Sequence, residues 1–163
     1  MIAASDTSPI SNLALIGRLD LLCDQFDRVC IPDAVRTELD RIPNSAAKAA
    51  IEQATQTGWL RPRPVGNARL AAILANDLDL GEAEAIVLAV EIKADLLLID
   101  EKEGRALARQ AGLAVTGVLG ILLRAKATGK VSSVKAEIEA LRNRAGFFIA
   151  SALEEEILRC AKE

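Results

Sequence analysis

The chain has 163 residues, 51% of them apolar and 26% charged, with a net charge of −3; it suits one domain, residues 1–163, able to bury a core without disulfides or a structural metal. There is no His, and three Cys (Cys23, Cys30, Cys160) stand at unrelated spacings, which excludes Ser-His-Asp and Cys-His chemistry, the usual zinc sites and a disulfide framework. A reducing, cytoplasmic setting is expected: apolar runs are too short to span a bilayer, and Met1 to Asp6 lacks the features of an export signal.

Ile2 to Ser5 reads as a short buried strand. Ser8-Pro9 predicts an N-cap followed by Pro in the first helical position, opening a helix through Ile16. Leu19, Leu21 and Leu22 fit a short helical turn, and Arg28 to Ile31 a second strand. Pro32 starts a helix with Val35, Leu39 and Ile42 on one face. Ala46 to Gln56 is helical and ends at Gly58. Trp59 to Pro64 is extended or looped, because each Pro biases its predecessor away from helix. Asn67 to Asn76 is helical, and Asp79-Leu-Gly-Glu82 has the form of a capping box opening an apolar helix through Ile92. Asp95 to Ile99 has the apolar run of a parallel strand covered on both faces. Helix 101–111, a short strand at Ala114-Val115, helices 118–128 and 133–144, and a last helix 152–161 complete the pattern. The expectation is an α/β class protein, a three-layer α/β/α sandwich around a central parallel sheet.

Charge is unevenly spread. Residues 1–101 carry 9 Lys/Arg against 16 Asp/Glu, while residues 102–144 carry 9 against 3. An acidic body beside a basic stretch suits a cation site that accepts a polyanion, although uneven surface charge alone accounts for it equally well. In parallel sheets the ligand site lies at the carboxyl ends of the strands. Asp6 ends the first strand and Asp100 the Leu96–Ile99 strand. Glu82 opens the helix feeding that strand, and Glu38 lies on the helix after strand 28–31. Hard divalent cations such as Mg²⁺ take oxygen ligands and activate water toward a phosphodiester without any His. Each acid also has a structural role open to it: Asp6 as a turn residue, Asp100 as N-cap of helix 101–111, Glu82 as the N3 partner of the capping box, Glu38 as a solvated face. Glu101 and Glu103 fit first-turn positions favoured by the helix dipole.

The segments Ser5 to Ala14 (SDTSPISNLA), Gly81 to Ile86 (GEAEAI) and Leu96 to Asp100 (LLLID) resemble, in this order, the PIN-domain superfamily, in particular a PIN-like branch related to VapC-type toxin ribonucleases. The likeness covers roughly residues 1–150. It implies an endoribonuclease that cleaves single-stranded RNA with Mg²⁺ or Mn²⁺ by metal-activated water. The family's acids fall on Asp6, Glu38, Glu82 (rather than Glu84) and Asp100, as catalytic and metal-binding residues, with Thr7 and Thr116 as supporting hydroxyls. The helix-start acid is Glu where many toxins have Asp. A homodimer and, in a toxin-antitoxin pair, a small antitoxin protein are expected partners. Arg105, Arg109, Arg124 and Lys126 are candidates for RNA phosphate contacts. Two rivals remain open: a catalytically weak or inactive PIN-like RNA-binding or regulatory module, and an acidic-site phosphatase or receiver-like α/β protein. Against the second, Ser8 stands where a phosphatase of the haloacid-dehalogenase type has its second Asp, and Val115 to Gly117 holds no receiver Lys. With Phe26, Trp59, Phe147 and Phe148 the only aromatics, base stacking has few platforms.

Overall fold

A computed structural model describes residues 1–163. Five strands, β1 (Ile2–Ser5), β2 (Arg28–Ile31), β3 (Leu60–Pro62), β4 (Leu96–Leu98) and β5 (Val115–Thr116), form one sheet in the order β3-β2-β1-β4-β5. Every pairing is parallel. The helices are α1 (Thr7–Leu15), α2 (Asp20–Gln25), α3 (Asp33–Asp40), α4 (Ser45–Gln56), α5 (Ala68–Leu74), α6 (Leu80–Glu91), α7 (Lys102–Gln110), α8 (Val118–Ala127), α9 (Val134–Ala145) and α10 (Ser151–Cys160). No helix is long and apolar enough to cross a membrane.

The pleat sorts the strand residues into two cores. Ala3, Val29, Ile31, Leu60 and Leu98 face the larger apolar cluster with α1, α2, α3, α4, α8 and α9. Ala4, Leu97 and Ile99 face the smaller one with α6 and α7, because alternate strand residues point to opposite faces. The result is the three-layer α/β/α sandwich expected from the sequence. Helix α6 is buried nearly all round, from Gly81 to Ala89 apart from Glu84, which is why its apolar pattern is continuous rather than striped.

Two local expectations need revision, and a third, the extended or looped segment, is sharpened. Helix α1 is capped at Asp6 and begins at Thr7, so Pro9 sits in the third helical position. A missing N–H costs nothing there, since the first four amides lack intrahelical partners anyway. Trp59 to Pro64 contains a true strand, β3, although two prolines flank Arg63. β3 is an edge strand, and Pro is tolerated where no neighbour needs its amide. Finally, Glu101, not Asp100, occupies the N-cap position of α7.

Candidate active site

Chain order runs outward from β1 in both directions, so β1 and β4 flank the point where the sheet's winding reverses. Ligands of open α/β sheets bind in the crevice at such a point. Asp6 leaves β1 there, its amide donating to the Leu98 carbonyl at 2.9 Å. Asp100 follows β4 two residues on. The two acids therefore emerge side by side.

Asp6 is 3% exposed, and although it holds the N-cap position its side chain makes no cap hydrogen bond. Burial first, opposed by the Thr7 amide, and then the charges of Asp79, Glu82 and Glu38 push its pKa up to about 7. These acids surround Gly81 in the first turn of α6. The position a Cβ would take on Gly81 lies 2.7 Å from Glu38 Oε1, 3.2 Å from Asp6 Oδ1 and 3.4 Å from Asp79 Oδ1. Only a residue without a side chain leaves that space clear. Asp79 was legible as a capping residue alone, and that role it fills: its Oδ1 accepts from the Glu82 amide at 2.8 Å, and Glu82 Oε2 accepts from the Asp79 amide at 3.2 Å. The other Glu82 oxygen, Oε1, is buried without a partner beside Gly104 of α7. Burial and the Asp79 charge push Glu82 up to about 7 as well, with Glu101 adding to the effect. Glu84 points elsewhere, accepting from the Ala34 amide at 3.0 Å and so capping α3, whose own N-cap Pro32 has no side-chain acceptor.

Asp100 has different company. Its Oδ1 accepts from the Val118 amide at 2.8 Å, fastening the start of α8 rather than that of α7. Asn12 Nδ2 approaches Oδ2 at 3.5 Å. Burial raises the Asp100 pKa, with the Val118 amide and the Arg105 charge opposing. Arg105 is held by the Ile99 carbonyl at 2.9 Å. A cavity of about 830 Å³ opens beside this acid, lined by Asp100, Arg105 and Thr116 and, across it, by Phe147, Phe148 and Leu153. Phe148 is 87% exposed. Thr7 Oγ1, next to Asp6, is buried and unpartnered.

The basic candidates divide. Arg105 lies on α7 beside Asp100 and on the cavity wall, whereas Arg109 is exposed in the last turn of that helix. Arg124 and Lys126 stand in the last turn of α8, about 10 Å of helix away from its start at Val118. Lys126 is paired with Glu163 at 3.0 Å, and the same carboxylate accepts from the Lys135 and Val134 amides at 3.0 and 2.7 Å, which with Lys126 holds its pKa down at about 2.

No three Asp, Glu or Cys side chains are drawn into a closed coordinating cluster. The donor set nevertheless fits a hard divalent cation: all oxygen, carboxylates facing a space kept clear at Gly81, and a buried Glu82 oxygen without a partner. The acids at the sheet's switch point suit a PIN domain, whose fold is of the nuclease type. The PIN-domain family DUF3368 matches residues 2–163, and the chain belongs to it. PIN domains are generally nucleases that use divalent metals. Neither a curated protein nor a solved structure matches the chain significantly.

Proposed function

We propose that this chain is a Mg²⁺- or Mn²⁺-dependent endoribonuclease that hydrolyses phosphodiester bonds of single-stranded RNA, acting in the cytoplasm as a homodimer and as the toxin of a toxin-antitoxin pair. The observation that carries the nuclease reading is the meeting of the Asp6, Glu38 and Asp79 carboxylates at Gly81, with the buried Glu82 beside them and no cationic side chain offsetting Asp6 or Glu82. Asp6, Glu38 and Glu82, with Asp79, would hold the cation on one side and Asp100 on the other. Such an ion, when bound, would supply Lewis acidity toward the phosphodiester and lower the pKa of a water so that it gives up a proton and attacks as hydroxide.

The chain's own residues do the rest. Val118 and Asn12 fix the Asp100 carboxylate in orientation, as groups supporting a ligand commonly do. Arg105 offers positive charge to the phosphate from the cavity wall, and Arg109 lies one helical turn beyond it. The cavity across from Asp100 gives a nucleotide room beside the acids. Thr7 and Thr116 supply hydroxyls at the ends of β1 and β5. Incubation of the purified protein with single-stranded RNA and Mn²⁺ or Mg²⁺ should produce fragments, EDTA should stop it, and single-stranded DNA should be cut far less. Protein that binds RNA but never cuts it, with any divalent ion, would be an RNA-binding module instead.

A further inference from the structure

The far edge of the sheet carries a charged feature that the acids do not explain. Strand β2 pairs with β3 so that Cys30 stands opposite Arg61. Paired residues of parallel strands share a face, as do residues two apart. Arg28 and Cys30 of β2 therefore face the same way as Arg61 and, one step further, Arg63. The ladder continues to that step, since the Arg63 amide donates to the Ile31 carbonyl at 2.8 Å. Together the three arginines line a groove of about 310 Å³ with Cys30, Thr55 and Pro62, and no carboxylate lines it.

None of the three guanidinium groups takes part in an ion pair. Arg61 gives only its Nε, to the Gly58 carbonyl at 2.7 Å, so its terminal nitrogens remain available. The convergence also registers on Cys30: burial pushes its thiol up, and Arg63, Arg28 and Arg61 all pull it back. Edge strands do carry charge to block sheet-to-sheet association. Here, however, β3 is three residues long and includes Pro62, so the edge is already a poor template.

Geometry indicates the ligand. Same-face positions on a strand recur about every 6.6 Å, so the row spans roughly 13 Å, a repeat close to that of successive phosphates in an extended single strand. Guanidinium groups bind phosphate oxygens through paired N–H bonds. No aromatic ring lines the groove to read a base. Arg63 stands level with Pro32, which opens α3, the helix bearing Glu38. The row thus starts at the sheet edge that carries the acids and runs away from it. A protein of net charge −3 with an acidic centre needs local positive charge to hold a polyanion. We propose that Arg28, Arg61 and Arg63 form a phosphate track that holds the backbone of the single-stranded RNA leading to the acidic edge. This rests on the ribonuclease reading for its substrate.

The test is equilibrium binding of a labelled oligouridylate in EDTA, where no cleavage occurs and base stacking is weakest. Wild type is compared with Arg28→Gln/Arg61→Gln/Arg63→Gln and with the corresponding triple Lys variant across a salt series. Removing one phosphate-binding charge from a single-strand site should reduce the slope of log K against log salt by about 0.7, so the Gln variant should lose about 2 and bind more than about tenfold more weakly at low salt. The Lys variant should keep most of the slope. Equal slopes for wild type and the Gln variant overturn the track, as does a wild type that binds no oligouridylate at low salt. Metal-dependent cleavage of a short oligonucleotide, too short to reach the groove, is measured on the same proteins. If that persists while the slopes are equal, the track alone fails; if cleavage is absent while the slope still drops, the nuclease reading alone fails.

Discussion

Asp6 and Asp100 leave neighbouring strands at the same edge, yet like charges crowd the one while donors and a cationic side chain surround the other. Around Asp6, the charges that shift its pKa most are Asp79, Glu82 and Glu38, all of like sign. Around Asp100, the Val118 amide, Asn12 and Arg105 all favour the ionised form. Burial opposes ionisation in both places. The first group leaves its like charges without a compensating cationic side chain, whereas the second carries its own donors. At an effective dielectric near 20, two like charges ~5 Å apart cost about 3 kcal/mol before screening, so the Asp6 side stores the larger penalty in the metal-free protein.

The strongest way to break this comparison is to neutralise each acid in turn. Asp6→Asn and Asp100→Asn should each abolish detectable metal-dependent cleavage of single-stranded RNA. They should differ in the metal-free protein. Asp6→Asn removes the crowded charge and should stabilise the fold near pH 8, by at most about 4 kcal/mol given a pKa shift from 3.8 to about 7. Asn at position 100 can still accept from the Val118 amide, so stability there should change by no more than about 1 kcal/mol. Urea denaturation and one gel assay check both, and an active variant of either kind would remove that residue from the site.

The pH dependence follows from the same asymmetry. Folded Asp6 and Glu82 keep their protons up to about pH 7, while in the unfolded chain they release them near pH 4. Between those values the native state binds more protons, so the stability of the metal-free protein should fall as pH rises and level off above about pH 7. A divalent ion requires the ionised carboxylates, so its stabilising effect should grow over the same window. Urea melts at several pH values, with EDTA or with Mn²⁺, give both curves. A metal-free stability that climbs steadily through this range in wild type but not in Asp6→Asn would contradict the shifted Asp6.

Two glycines sharpen the contrast at a smaller scale. A Cβ on Gly81 meets the flexible end of Glu38, which can swing aside, and Ala is the better helix former by about 1 kcal/mol. Gly81→Ala should therefore fold normally but show a smaller rise in melting temperature with Mn²⁺ and cleavage roughly tenfold slower, about 1.4 kcal/mol of barrier. A Cβ on Gly117 meets the Asp100 carboxylate and, at 3.3 Å, the fixed Ile99 carbonyl. Gly117→Ala should cost about 1–3 kcal/mol of stability. Thermal melts of the pair with and without Mn²⁺ tell a blocked cation space from a steric clash beside Asp100, and identical behaviour would erase the distinction.

Four of the five strands, the layer order and the capping box at Asp79 were legible because each rests on local pattern: apolar runs bounded by Pro, Gly or a capping residue. β3 was legible only as an extended or looped segment, since the prolines of Trp59 to Pro64 exclude helix but leave strand and loop open until its edge position is known. Placing Asp6 and Asp100 at the strand ends needed only the sheet rule, and the family likeness favoured a site role for Glu82 and Glu38 over their structural ones. Asp79 escaped because a capping role accounts for it fully; its closeness to Asp6 and Glu38 depends on how α3 and α6 pack. Gly81 carried the one usable signal, a residue without a side chain where three acids meet. The arginines of β2 and β3 were hidden for a related reason: segment charge counts put them in the acidic half, and only strand register aligns them.

The smallest expected effect concerns the basic residues on α8. Their place in a strongly positive segment suggested phosphate contacts, but α8 carries Arg124 and Lys126 away from the acids. Lys126 is already occupied by Glu163. Arg124→Ala and Lys126→Ala should therefore leave cleavage and RNA affinity within about twofold of wild type, whereas Arg105→Ala should weaken both, since Arg105 lies against Asp100. Losing Lys126 removes one of several partners from a carboxylate that still accepts from the Val134 and Lys135 amides, so stability should change little. The decisive measurement is the salt dependence of RNA binding in EDTA for each single variant. If Lys126→Ala lowered the slope as much as Arg105→Ala, the RNA would have to pass along α8 as well, and the substrate path drawn from the sheet edge would be incomplete.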